Sequence, residues 1–154
     1  MTEGPHTGEL ILHARFRAAP ERIFSRMTDP VELAKWWGPA GFSTPEAVLD
    51  ARVGGGFRLT MQPPSGDLFH LTGAFLEIDP PRRLSYTFRW EEPVPDDRET
   101  VVVLDLRPAD GGTQLSLSHS GFATEERLRL HRDGWTDAFE RLRALVDGAG
   151  PRRR

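Results

Sequence analysis

The sequence predicts an α+β fold in which an antiparallel sheet packs one face against a long C-terminal helix. Three observations lead to this prediction: a strand pattern followed by two short helices, a central run of alternating segments joined by turn residues, and a long amphipathic pattern near the C-terminus. The 154 residues are enough for one domain with a substantial core. We expect a single domain over residues 9–147, with flexible tails at 1–8 and 148–154.

Composition and charge exclude several classes of function. The chain has 20 basic and 23 acidic residues, which leaves no basic excess for binding nucleic acid. It has no cysteine, so disulfides and thiolate chemistry are excluded. No apolar run reaches the ~20 residues of a membrane span, and the N-terminus lacks the cationic and apolar regions of a signal peptide. We therefore expect a cytoplasmic protein.

The first predicted elements are one strand and two short helices. Apolar and polar side chains alternate from residue 9 to residue 18, which is typical of a half-buried strand. A first helix over 20–29 begins with proline, which suits the first helical turn. Asp29 is a candidate N-cap for a second helix over 30–37, and Gly-Pro at 38–39 ends it.

The middle of the chain reads as strands and turns. Short segments rich in Gly, Pro and Asp separate the strands, and such short connections predict an antiparallel meander. Six strands are predicted, at 43–50, 56–62, 68–79, 83–91, 99–107 and 113–120.

A long amphipathic helix is predicted near the C-terminus, with Thr124 as a candidate N-cap. Its apolar stripe needs a large apolar surface, and one face of the sheet is the available one. The stripe consists of Leu128, His131, Trp135, Ala138, Phe139, Leu142, Leu145 and Val146.

Several segments together carry a resemblance to a known family. In chain order they are 18-AAPERIF-24, 28-TDPVELAKWWGP-39, 53-VGGGFRL-59, 73-GAFLEIDPPRRLSYTF-88, 112-GTQLSLSHSGF-122 and 131-HRDGWTDAFERL-142. Over about residues 9–147 they resemble homologues of the activator of heat shock protein 90 ATPase, within the START-like, Bet v 1-like (SRPBCC) superfamily. The resemblance implies a helix-grip fold, with a curved sheet of about seven strands around the C-terminal helix and a cavity between them.

Two adjacent tryptophans stand at the end of the second short helix. Neighbouring helical residues point about 100° apart, so Trp36 and Trp37 cannot bury both rings in one direction. We expect one ring in the core and the other at the mouth of the cavity, and we favour Trp37 because it directly precedes Gly38-Pro39. The alternative is that both rings pack around that Gly-Pro pair.

Two histidines are candidates for the inside of the cavity. His119 shares a strand face with Leu115 and Leu117, which points it towards the C-terminal helix and His131. Such a pair could bind a carboxylate or transfer a proton near neutral pH. The alternative is a satisfied histidine or a hydrogen bond between helix and sheet, and a metal is not predicted because no third ligand is evident.

The aromatic residues of two strands and of the C-terminal helix fit either a core or a ligand-binding wall. The sequence leaves both roles open for them. The complete set of candidate ligand contacts is Trp36, Trp37, Phe57, Tyr86, Phe88, His119, His131 and Trp135.

No catalytic motif is present, and we predict no cofactor. Glu77 and Asp105 fall in strands, where the register decides whether they face inward. The favoured function is a protein that binds a hydrophobic or amphipathic small molecule. The alternatives are a cyclase- or hydrolase-like enzyme with a polar pair in the cavity, and a module that interacts with a chaperone. An arginine-rich sheet face together with an exposed Trp37 would permit a homodimer.

Overall fold

The computed structural model describes residues 9–94 and 96–147, and its elements follow the predicted order. The tails predicted at 1–8 and 148–154 lie outside the described residues. The elements are β1 (Glu9–Phe16), α1 (Pro20–Thr28), α2 (Pro30–Ala34), β2 (Ser43–Leu49), β3 (Gly56–Gln62), β4 (Phe69–Asp79), β5 (Arg83–Trp90), β6 (Thr100–Ala109), β7 (Gly112–Ser120) and α3 (Glu125–Val146).

The strands form one curved antiparallel sheet in the order β1-β7-β6-β5-β4-β3-β2. Consecutive strands from β2 to β7 are neighbours, as expected from their short turns. β1 pairs with β7, which leaves α1 and α2 to connect opposite edges of the sheet. The predicted α+β helix-grip fold is confirmed.

The apolar stripe of α3 faces the inner side of the sheet. Trp135, Phe139 and Leu142 are at most 4% exposed, and Leu115 and Leu117 on β7 are fully buried. Phe139 contacts Phe16 of β1 edge-on, with ring centroids 6.3 Å apart. Burial on both sides of this interface makes it the centre of the hydrophobic core.

Side-chain caps fix the starts of two helices, as predicted. Asp29 accepts hydrogen bonds from the backbone N–H groups of Val31 and Glu32 at the start of α2. Thr124 does the same for Arg127 at the start of α3. These caps set the points at which the chain enters α2 and α3.

Helix α2 is shorter than predicted, because it ends at Ala34 instead of residue 37. Trp36 and Trp37 therefore lie in the tight turn beyond it, where both of their backbone N–H groups donate to the carbonyl of Leu33. The 100° separation of a regular helix does not apply here, and both rings are buried, at 1% and 6% exposure.

The strand register turns Glu77 and Asp105 outward. Both carboxylates pair with Arg83 on the exposed face of the sheet, at 2.7 Å and 2.8 Å. They are nearly half exposed and contribute nothing to the space between sheet and helix.

Candidate ligand cavity

A cavity of about 360 Å³ lies between the sheet and the first half of α3. The turn after α2 and the loop between β5 and β6 complete its wall. Most of the lining is apolar, and six rings dominate it: Trp37, Phe42, Phe69, Phe88, Trp90 and Trp135. Four polar or charged side chains also line it: Glu92, Asp97, Arg127 and His131.

The predicted ligand contacts divide into two groups. Trp37, Phe88, His131 and Trp135 line this cavity. Trp36, Phe57 and Tyr86 instead line a separate void of about 20 Å³, which is too narrow for a ligand and which Trp37 also borders. His119 lines neither space, because Trp135 packs against it with ring centroids 6.2 Å apart.

Both rings of the tryptophan pair belong to the buried core, and of the two only Trp37 also lines the larger cavity. Trp36 lies beneath the short helices and donates its indole N–H to the carbonyl of Arg26 at 3.1 Å. Trp37 contacts Trp36 on one side and Trp135 on the other, with centroid distances of 5.7 Å and 5.2 Å. Within residues 9–94 and 96–147, the indole N–H of Trp37 has no hydrogen-bond partner, whereas the other three tryptophan indoles each have one.

The turn that carries Trp37 is bonded directly to α3. The guanidinium of Arg141 donates from one nitrogen to the carbonyls of Trp37, Gly38 and Pro39, at 2.9–3.4 Å. The carboxylate of Asp137 accepts the backbone N–H of Ala40 at 3.1 Å. These contacts hold the cavity-lining turn against the helix that forms the opposite wall.

His131 is held as a neutral imidazole with both nitrogens occupied. Its Nε2 accepts the indole N–H of Trp90 at 3.1 Å, and its Nδ1 lies 2.7 Å from the backbone carbonyl of Arg127. An indole only donates and a carbonyl only accepts, so the proton of His131 is on Nδ1. Burial lowers the pKa of His131, which favours this uncharged form.

His119 is neutral for the same reason and has the opposite tautomer. Its Nδ1 accepts the indole N–H of Trp135 at 3.0 Å, so its proton is on Nε2, 2.7 Å from the hydroxyl of Thr100. That hydroxyl donates to the carbonyl of Phe88. Burial holds the pKa of His119 well below its usual value, and the nearby His131 lowers it further.

The two histidines approach each other as predicted, with ring centroids 5.6 Å apart. Each of their four ring nitrogens nevertheless has a partner within the protein. The predicted alternative of a hydrogen bond between helix and sheet describes His119, which joins β7 to α3 through Trp135.

The charged side chains of the cavity wall are also paired. Asp97 binds Arg127 at 2.6 Å, and the two side chains are only 8% and 18% exposed. The second carboxylate oxygen of Asp97 accepts the backbone N–H of Val94. Glu92 accepts from the backbone and the ring of His70, and the ring contact lowers the pKa of Glu92.

One group in the described part of the chain has the spacing of metal ligands. Atoms of His70, Glu91 and Glu92 lie within 4.8 Å of one another. Glu91, however, is already bound by two guanidinium nitrogens of Arg58, at 2.8 Å and 2.9 Å, and His70 is bound to Glu92. These contacts account for the cluster as one ion pair and one hydrogen-bonded pair near the surface.

Sequence reasoning missed much of the cavity wall. Trp90 could have been selected, because it alternates with the predicted Phe88 on β5. Glu92 and Asp97 carry no such signal, since nothing in the sequence indicates that the loop after β5 folds against Arg127. Gly134 had no signal either, although its missing side chain contributes space to the cavity.

The structure also bears on the expectations about a homodimer and about a membrane span. The argument for a homodimer was partly wrong, because Trp37 is buried and offers no exposed ring for a contact between subunits. No helix within residues 9–94 and 96–147 is long and apolar enough to cross a bilayer.

Comparison with known proteins places the chain in a family. Residues 17–147 match the family described as Activator of Hsp90 ATPase homolog 1-like protein. No protein with a curated description matches the sequence.

Solved structures share the fold over nearly the whole chain. A protein from Chromobacterium violaceum is 30% identical, with a TM-score of 0.80 over 90% of this chain and 96% of its own. The AHSA1 protein from Silicibacter pomeroyi is also 30% identical, with a TM-score of 0.78 over 90% and 97%. CalU16 from Micromonospora echinospora is 28% identical, with a TM-score of 0.68 over 88% and 74%. The chain therefore belongs to the family of Activator of Hsp90 ATPase homolog 1-like proteins.

Proposed function

We propose that this protein binds an amphipathic small molecule in the cavity between the sheet and α3. The observation that carries the proposal is the cavity of about 360 Å³ with its wall of aromatic rings. Pockets for small molecules typically measure about 300–1,000 Å³ and combine an apolar lining with a few placed polar groups. A void of this size with such a lining is costly for a domain that uses it only for packing.

The polar groups favour binding over catalysis. A general acid or base needs an atom free to exchange a proton with the substrate. Both nitrogens of His131 and both carboxylate oxygens of Asp97 already have protein partners. These groups are therefore better suited to shaping and orienting a site than to transferring protons.

Filling the cavity from Gly134 tests the proposal. A Cβ added to Gly134 would meet only Pro39 within 4 Å, at an ordinary contact distance of 3.6 Å. Gly134→Leu should therefore place an apolar side chain in the cavity without breaking the core, while the control Gly134→Ala leaves most of the space open.

The measurement is the fluorescence rise of N-phenylnaphthylamine, an uncharged apolar dye, during titration with each protein. Wild type and Gly134→Ala should bind the dye, and Gly134→Leu should bind it at least about tenfold more weakly while melting no lower than wild type. Absence of dye binding by wild type, or equal binding by Gly134→Leu, would overturn the proposal. If the dye binds as expected, native mass spectrometry of the purified protein would identify a ligand retained from the cell.

A further inference from the structure

We propose that the cavity selects a cationic amphiphile, an amine or quaternary ammonium with an apolar body, over neutral and anionic molecules of the same shape. This inference rests on the proposed function and specifies its ligand class. It combines the charge of the cavity wall with the chemistry of the aromatic lining.

The charges of the wall favour a cation. Two carboxylates, Glu92 and Asp97, line the cavity together with one guanidinium, Arg127. Asp97 lies 2.6 Å from Arg127, so that pair is locally neutral. Glu92 is left as the carboxylate that no guanidinium or ammonium group of the described residues pairs with, and the hydrogen bond from the ring of His70 lowers the pKa of Glu92, which keeps it charged.

The aromatic lining adds a second attraction for a cation. The faces of Trp, Tyr and Phe rings attract an ammonium group that lies within about 6 Å, and tryptophan does so most strongly. Three of the six rings of the lining are tryptophans: Trp37, Trp90 and Trp135. A ligand cation in this space therefore lies near several aromatic rings.

An anion finds few accessible donors in the same space, where the indole N–H of Trp37 is the one tryptophan donor without a partner among the described residues. His131 offers none, because its one N–H is bound to a backbone carbonyl. Arg127 has an unpartnered Nε, but that atom is buried from solvent and its guanidinium already faces Asp97. Moving a carboxylate from water into this cavity would cost free energy, because the wall offers too few hydrogen bonds to compensate for its lost hydration.

Three small molecules with one shared body separate the alternatives. Phenylbutylamine, phenylbutanol and phenylbutanoate differ only in the head group, which is cationic, neutral or anionic. Each is used to displace N-phenylnaphthylamine from wild type at about pH 8, where an alkylamine is a cation and a carboxylic acid is an anion. The amine should displace the dye at a concentration about fivefold lower than the alcohol and more than tenfold lower than the carboxylate.

Charge variants assign any preference to the cavity. In Glu92→Gln, the amine and the alcohol should displace the dye at similar concentrations. In Asp97→Asn, the carboxylate should displace the dye at a lower concentration than in wild type, because the positive charge of Arg127 no longer has its partner. The matched control is Glu91→Gln, which removes the same charge from a neighbouring residue that binds Arg58 and does not line the cavity. This control should keep the preference of wild type.

The outcomes are distinguishable. The inference is overturned if the carboxylate or the alcohol displaces the dye as well as the amine does, or if Glu91→Gln and Glu92→Gln change the preference equally. In either case the bound dye would still support a ligand cavity. Failure of the dye itself to bind would overturn the proposed function, and this inference with it.

Discussion

The indole of Trp135 donates its N–H to Nδ1 of His119 at 3.0 Å and so joins α3 to β7 inside the protein. The bond is possible only if Nδ1 carries no proton. It therefore determines the tautomer of a fully buried imidazole. The indole of Trp90 imposes the complementary arrangement on His131 through Nε2.

The first prediction concerns these tautomers. Nitrogen-15 NMR of the imidazoles at about pH 7 should show His119 neutral with its proton on Nε2, and His131 neutral with its proton on Nδ1, because of their indole donors. Trp135→Phe removes one donor and should release the constraint on His119 alone. A proton on Nδ1 of His119 in wild type would contradict this arrangement.

The second prediction is a loss of stability in mild acid. Burial lowers the pKa of both histidines in the folded protein, so the unfolded chain takes up protons first as the pH falls below about 6.5. The stabilising contribution of the neutral rings is complete above that pH. It should decline below it by up to about 1.4 kcal/mol per pH unit for each histidine.

Urea unfolding between about pH 5 and pH 7 measures this dependence. His119→Gln removes one titrating ring while leaving an oxygen that can accept from Trp135, so its stability should change less with pH than that of wild type. An unchanged slope in this variant would show that His119 does not supply the pH dependence.

The third prediction separates the two adjacent tryptophans. Both rings are buried, so Trp36→Ala and Trp37→Ala should each lower the free energy of unfolding by about 3–5 kcal/mol. The milder Trp36→Phe and Trp37→Phe should remain folded. Of these two, only Trp37→Phe should weaken binding of N-phenylnaphthylamine, since Trp37 lines the larger cavity and Trp36 does not. Equal dye binding by both variants would remove Trp37 from the site.

The fourth prediction concerns a cost of the cavity. Gly134 lies in the interior of α3, where glycine is less stable than alanine by roughly 0.5–1 kcal/mol. The added methyl group has room, so Gly134→Ala should raise the free energy of unfolding by about that amount. Chemical denaturation compares the two proteins. A less stable variant would mean that the space beside Pro39 is smaller than the structure indicates.

The fifth prediction concerns the cap of α2. Asp29→Ala removes the acceptor for two backbone N–H groups and should cost about 1 kcal/mol of stability. Asp29→Asn keeps a side-chain oxygen at the same place and serves as the control. Equal losses in both variants would assign the effect to the charge of Asp29 instead of its hydrogen bonds.

The fold could be predicted closely because its signals are local. Period-two alternation, turn residues and the caps Asp29 and Thr124 each act within a few residues, and strand bounds differ from the prediction by at most two residues. The end of α2 was the exception. Gly38-Pro39 was expected to end this helix, but the last regular helical residue is Ala34. The chain forms a tight turn over residues 35–37, before it reaches Gly38.

The cavity was harder to predict because its wall is assembled from distant residues. Alternation places Phe57 and Phe88 on the same inner face, yet one borders a narrow void and the other the cavity. What separates them is where α3 and the loop after β5 cover the sheet. The contact between Asp97 and Arg127 spans 30 positions of the printed sequence, and no local pattern encodes it.

The turn at 37–40 and the loop between β5 and β6 are held to α3 by different numbers of polar contacts. Separating α3 from the turn at 37–40 would break the hydrogen bonds of Arg141 to three backbone carbonyls and the hydrogen bond between Asp137 and Ala40. The loop between β5 and β6 is joined to α3, within the described residues, by the one ion pair of Asp97 and Arg127. The turn is thus held to α3 by more polar contacts than the described part of the loop is, so fewer bonds have to break to separate the loop from the helix than to separate the turn from it.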